Sequence, residues 1–321
     1  MELRKQRLIK IFVTYIYKYY PKQYDKTIWL IGSGRSGTTW VSSLINFNNS
    51  FRELFEPFHP SYSELSAVGF CQHKYLNDAN DNIAIETLSS QILKGNFYQK
   101  RSEEANRFIW QRPRYKNMLI KDIFTNLLAY QICKTNKYVK PVLLIRNPFS
   151  VALSKSRTKD WYWMTDPIDF LNQKELMNDF LNPFENLIKD ISKNGTHLDK
   201  QILIWSIINY VPLKQFKGNE LLVTFYEDWV INPEKELNRI QEFVKLDLSV
   251  NGDFKDFKKF KKPSKTSVTN NFSISNWKSQ INQEQLKSAS DILERFGFKE
   301  LYDENSIPNH FILESLIEEN K

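Results

Sequence analysis

The sequence predicts an α/β fold: a central, mostly parallel sheet flanked by helices. Three observations carry that expectation. Short apolar runs of strand type alternate with stretches whose apolar residues recur at helical spacing. A glycine-rich turn, Gly32-Ser33-Gly34-Arg35-Ser36-Gly37-Thr38-Thr39, joins one such run to one such stretch. Val142-Leu143-Leu144-Ile145 is continuously apolar, as in a strand buried on both faces.

In chain order, the first strand is expected over Thr27 to Ile31. The glycine-rich turn follows it, then a helix with Trp40, Val41, Leu44 and Ile45 on one face. Further strands are expected over Phe51 to Phe55, Met118 to Phe124, Pro141 to Ile145 and Leu221 to Tyr226. Asn147-Pro148 and Asn232-Pro233 each read as a cap followed by proline in the first helical turn. The second of these opens a helix with Leu237, Ile240, Phe243 and Val244 on one face. Another helix should run from Leu198 to Gln215, and a last one from Gln283 to Phe296, stopping at Gly297. The organisation expected is an N-terminal basic and aromatic segment over 1–26, a domain over 27–302, and an acidic tail over 303–321. Two stretches, around 60–115 and 161–196, fit poorly into a minimal sheet and read as insertions at the mouth of a site.

A length of 321 residues suits one large α/β domain or two small ones, and 41% hydrophobic residues supply a sizeable core. Net charge is 45 − 37 = +8, which favours anionic partners. Nucleic acid is not expected among them, because no basic-aromatic module is present. Cys71 and Cys133 have no metal-type spacing, so a reducing, cytoplasmic location is expected. Asn48-Asn49-Ser50, Asn194-Gly195-Thr196 and Asn271-Phe272-Ser273 match the glycosylation pattern. In an Asn-rich chain with no recognisable signal peptide, chance is their expected origin. Leu8 to Tyr20 is apolar and aromatic but carries or adjoins Arg4, Lys5, Arg7, Lys10 and Lys18, too short and too charged to span a bilayer. Two readings stay open for it: peripheral contact with the inner face of a membrane, or an amphipathic helix packed on the domain.

The chemistry centres on the glycine-rich turn. A strand, a tight turn and a helix N-terminus gather backbone N–H groups around an anion. The spacing Gly32-x-x-x-x-Gly37 fits a phosphate loop, but Thr38 stands where a nucleoside triphosphatase carries lysine, and a cation comes earlier, at Arg35. A second signal is Arg146 at the carboxyl end of the buried strand, with Ser154 eight residues on. Ligands of open α/β sheets bind at such strand ends. Arg146 there can grip a second phosphate with both guanidinium arms, or serve as a strand-end salt-bridge partner.

Together these two segments resemble the cofactor-binding motifs of sulfotransferases that use 3′-phosphoadenosine 5′-phosphosulfate (PAPS). The resemblance is closer to the carbohydrate and tyrosylprotein type than to the cytosolic aryl and steroid type. Phe225-Tyr226-Glu227-Asp228 with Asn232-Pro233, and Ser275-Asn276-Trp277-Lys278, are similar to two further family segments, so that the likeness covers about 27–302. It implies a P-loop-containing nucleotide-kinase-like fold and transfer of a sulfuryl group from PAPS to an acceptor hydroxyl, or secondarily an amine, with no metal. The cofactor residues it implies are Arg35, Ser36, Gly37, Thr38, Thr39, Arg146, Ser154 and Tyr226. The departure from aryl-type members favours a glycan or glycolipid acceptor.

Arg35 would stabilise charge on the bridging and sulfuryl oxygens, or bind phosphate without a transition-state role. Glu56, in Leu54-Phe55-Glu56-Pro57, would be the general base, like the glutamate of carbohydrate and tyrosylprotein members. The alternatives are His59 as base, or Glu56 as a structural partner of a loop arginine. Tyr226 lies either against the adenine or as a half-buried sheet tyrosine. Lys121-Asp122 resembles a family feature, and a strand-end ion pair explains it equally well. Two rivals remain: a nucleotide kinase, which should carry lysine at position 38, and a protein that binds the nucleotide without turnover.

Overall fold

The computed structural model describes residues 2–19, 22–78, 82–104, 114–158, 164–246 and 274–318. The Asn271-Phe272-Ser273 sequon, the parts 79–81, 105–113 and 161–163 of the two expected insertions, and 319–321 of the tail lie outside the described residues.

The elements run α1 (Glu2–Tyr19), β1 (Thr27–Gly32), α2 (Thr38–Ile45), β2 (Phe51–Phe55), α3 (Ser63–Ala67), α4 (Ile83–Leu93), β3 (Asn117–Asp122), α5 (Ala129–Thr135), β4 (Val139–Ile145), α6 (Pro148–Ser156), α7 (Lys174–Leu176), α8 (Glu185–Asn194), α9 (His197–Gln215), β5 (Leu222–Phe225), α10 (Tyr226–Ile231), α11 (Pro233–Val244), α12 (Gln283–Arg295) and α13 (His310–Glu318). The five strands form one sheet in the order β2-β3-β1-β4-β5, every pair parallel. This is the P-loop-containing nucleotide-kinase-like fold expected from the sequence.

Alternation along the strands builds two cores. Ile28, Leu30, Leu119, Val142 and Leu144 face α2, α10 and α11, meeting Val41, Leu44, Trp229, Leu237 and Ile240. Trp29, Ile31, Ile120, Leu143 and Ile145 face the opposite side, meeting Ile132, Val151, Ile204, Ile208 and Ile292. All six residues of β1 are buried, as a central strand covered on both faces requires.

Two strand ends differ from expectation by two residues, and others by one. β3 stops at Asp122, because the Asp122 carboxylate accepts the Phe124 backbone N–H at 2.8 Å and turns the chain. β4 begins two residues before Pro141, which lacks only its own N–H and sits opposite Trp29. The helix signals correspond to local geometry. Asn147 and Asn232 cap α6 and α11 by accepting from Ser150 N and Lys235 N. Thr196 and Asp199 form a capping box on α9, and Gly297 takes φ 75° just past α12. Tyr226 is not a sheet residue: it opens α10. Beyond Tyr302 the chain returns to the core, where α13 buries Leu313 and Leu316. Both cysteines are free thiols.

Candidate active site

The five strands end on one edge of the sheet, and every side chain singled out in the sequence for chemistry is delivered there. β1 ends in the glycine-rich turn. Arg35 and Gly37 both adopt left-handed backbone, at φ 71° and 88°. At Gly37 a side chain is excluded twice over, since a Cβ would run into the Tyr226 ring. α2 begins at Thr38 with no side-chain cap, leaving its first turn to an outside acceptor.

Arg146, ending β4, and Ser154, on α6, meet this turn directly. Arg146 Nη1 donates to the Arg35 carbonyl at 3.1 Å, and Arg35 Nε donates to Ser154 Oγ at 2.9 Å. Ser154 therefore receives a bond from the loop's own cation while keeping its proton to donate. The Arg146 guanidinium lies 4.2 Å from the centre of the Tyr226 ring. Tyr226 in turn meets Trp40 edge-on at 5.5 Å. Burial, and then the charge of Arg146, hold the Arg35 guanidinium below its usual value. Two cations brought together in this way favour a strong anion between them.

Two buried donors in the same cradle, Ser36 Oγ and Arg146 Nε, have no hydrogen-bond partner among the described residues. Buried polar atoms are rarely left so. A doubly anionic nucleotide, with one phosphate on the turn and another at Arg146, would satisfy both.

The end of β4 is rigidly supported. Trp205 Nε1, from the buried helix α9, donates to the Arg146 carbonyl at 3.0 Å. Glu227 Oε1 accepts the Asn147 N–H at 3.0 Å, and its Oε2 accepts the Tyr302 hydroxyl at 3.3 Å. Burial lifts the Glu227 carboxyl to about 7. Trp277 stacks on Phe149 of α6 at 4.4 Å, which places the Ser275–Lys278 segment against the same turn.

On the other side of β1, β2 and β3 present Glu56 and Lys121. Glu56 is buried and takes a left-handed backbone, φ 46°. Both its oxygens are held: Oε1 accepts Lys121 Nζ at 2.5 Å, and Oε2 accepts Arg101 Nη2 at 2.5 Å. The pairing of Glu56 with a loop arginine, one of its sequence alternatives, is thus present. The Lys121 ion pair is made with Glu56 across two strands rather than with the adjacent Asp122. Asp122 instead accepts the Phe58 and Phe124 N–H groups at 3.0 and 2.8 Å, fixing the turn after Glu56. Burial lifts its carboxyl to about 7 against the pull of those two donors. His59 lies on the same turn, with Nδ1 2.7 Å from Ser61 Oγ and the ring edge-on to Phe124. Burial, then the charge of Arg101, lower its pKa.

Arg101 was not a sequence candidate. It belongs to the 60–115 stretch and sits 45 positions from Glu56, so no local spacing signals it. Glu227 lay within a recognised segment, but its link to Asn147 required the fold. No group of three or more His, Cys, Asp or Glu with metal-site geometry occurs among the described residues.

Comparison with known proteins bears on this arrangement. Among curated proteins none matches the chain significantly. Solved structures that it resembles include the sulfotransferase domain from the curacin biosynthetic pathway, at 15% identity and TM-score 0.44, over 86% of this chain and 99% of that one. A sulfotransferase from Alicyclobacillus acidocaldarius is 10% identical, TM-score 0.46, over 92% and 96%. Mouse sulfotransferase SULT7A1, complexed with PAP, is 12% identical, TM-score 0.45, over 96% and 94%. The family model for the sulfotransferase domain matches residues 25–295, well over half of the chain. With that match across the sheet, the anion cradle and the Glu56 side of the site, the chain belongs to the sulfotransferase domain family.

Proposed function

We propose that the protein moves the sulfuryl group of PAPS to a hydroxyl of a sugar-containing acceptor, a glycan or glycolipid, by in-line displacement. The observation that carries this reading is the order of groups along the sheet edge. Tyr226, Arg146 and the glycine-rich turn follow β5, β4 and β1, while Lys121 is the penultimate residue of β3 and Glu56 follows β2. With neighbouring strands roughly 4.8 Å apart, the donor side and Glu56 lie about 10 Å apart along the edge. That span leaves room for a sulfuryl group and an acceptor hydroxyl in line between them.

Arg146 and Ser154 hold the 3′-phosphate, and the first turn of α2 with Ser36, Thr38 and Thr39 holds the 5′-phosphate. Arg35 stabilises charge as the bond from sulfur to the bridging oxygen breaks and the bond from the acceptor oxygen to sulfur forms. The acceptor proton passes to Glu56 Oε2 as the partly exposed Arg101, which pairs with that oxygen, gives way to the acceptor. Lys121 keeps the other oxygen in place. A sugar acceptor is favoured by a Glu-Pro turn in the base position, as in carbohydrate-type members, and by the partly exposed aromatic residues Phe55, beside Arg101, and Tyr62, beside His59.

Transfer of labelled sulfate from PAPS to glycans, glycolipids and phenols tests the proposal. Labelling of a glycan or glycolipid, lost in Glu56→Gln while nucleotide affinity persists, is the result expected. Labelling of phenols alone would reject the acceptor class. Binding of ATP without binding of adenosine 3′,5′-bisphosphate would reject the donor.

A further inference from the structure

We propose that the outer face of α1 docks the protein on an anionic lipid surface. Leu8, Ile11, Phe12, Tyr15 and Tyr19 are each more than half exposed. At 100° per residue they fall within an arc of about 100°, one continuous stripe along the helix. Val13, about 150° from the centre of that stripe, is the one buried side chain among those described in α1. The helix is therefore held on one side and offers its apolar side to solvent. The stripe is too extended to be scattered surface residues, and it includes two tyrosines, which suit a boundary between hydrocarbon and water.

Charge selects the occupant. Arg4, Lys5, Arg7, Lys10 and Lys18 stand in α1 against Glu2 alone, a net charge of 5 − 1 = +4 within one short helix. Lys22, Asp25 and Lys26 follow it, adding 2 − 1 = +1. A second copy docking stripe to stripe would bring two such helices together against their mutual repulsion, whereas a surface of anionic headgroups neutralises both. No helix among the described residues is long and apolar enough to cross a membrane. A helix of this kind lies in the interface, its apolar face among the upper acyl chains and its cations at the headgroups.

The test is co-sedimentation of the full chain with vesicles of phosphatidylcholine alone or containing about 30% phosphatidylglycerol. Binding should rise about tenfold with the anionic lipid and fall with added salt. Leu8→Glu with Phe12→Glu should lower it about tenfold, and so should Arg7→Glu with Lys10→Glu, which leaves the stripe intact. Both variants should keep the wild-type melting temperature and affinity for adenosine 3′,5′-bisphosphate. Equal binding to neutral and anionic vesicles, or unaltered binding by either variant, overturns the proposal. So does a concentration-dependent dimer in sedimentation velocity that Phe12→Glu abolishes, since the stripe would then belong to a second copy.

Discussion

Replacing Glu227 by glutamine should flatten the pH dependence of stability between pH 4.5 and 7. The carboxyl is fully buried, and burial raises it from 4.5 to about 7 in spite of the Asn147 N–H, Arg146 and the Tyr302 hydroxyl. Between those values the folded protein holds a proton that the unfolded chain has released, so unfolding loses protons and stability falls as pH rises. The contribution is present in full below pH 4.5 and is lost as pH passes through about 7. At about 1.4 kcal/mol for each pH unit between the two values it amounts to about 3 kcal/mol. Glutamine keeps the shape and can still accept from Asn147 N, but does not titrate. Urea unfolding of both proteins at half-unit steps from pH 4.5 to 8 measures the difference. The wild type should lose about 3 kcal/mol relative to Glu227→Gln over that range. Parallel curves would refute the reasoning and show that Glu227 is ionised throughout. Because Glu227 holds the Asn147 end of the Arg146 turn, nucleotide affinity in the variant should change less than twofold at pH 8 if shape alone matters.

Other outcomes follow from the same geometry. Arg35→Ala should lower turnover about 10²- to 10³-fold in the labelled-sulfate assay, the usual loss for one preorganised charge-stabilising donor. Gly37→Ala should weaken adenosine 3′,5′-bisphosphate binding and cost at least about 1–2 kcal/mol of stability from its left-handed backbone alone, by calorimetry. Arg101→Met should reduce turnover less than Glu56→Gln does, because Lys121 still holds Glu56; equal losses would give Arg101 a direct part in the reaction. Ser154→Ala should raise the KM for PAPS more than it lowers kcat, since it removes both a phosphate donor and the anchor of Arg35.

The sheet was readable because its signals are local. Four consecutive buried residues, Val142 to Ile145, need both faces covered, and each Asn-Pro pair marks a helix start within three residues. The glycine-rich turn was readable for the same reason, as strand, turn and helix are contiguous. Its internal wiring was not. Ser154 accepts a bond from Arg35, 119 residues away, which no local spacing signals. The clamp on Glu56 joins positions 56, 101 and 121, which no periodicity relates. The end of β3 depended on a competition the pattern does not show: Ile123 and Phe124 are apolar enough to extend the strand, but the Asp122 side chain captures the backbone first.

The two bonds that tie the glycine-rich turn to Arg146 and Ser154 have a consequence for the catalytic cycle. If the nucleotide binds as proposed, a spent one keeps both phosphates and leaves a turn still cross-braced for the next molecule. Little reorganisation then separates release from reloading, and the by-product competes with fresh donor on nearly equal terms. The expected consequence is throttling by the leaving group, read as an inhibition constant for adenosine 3′,5′-bisphosphate close to the KM for PAPS.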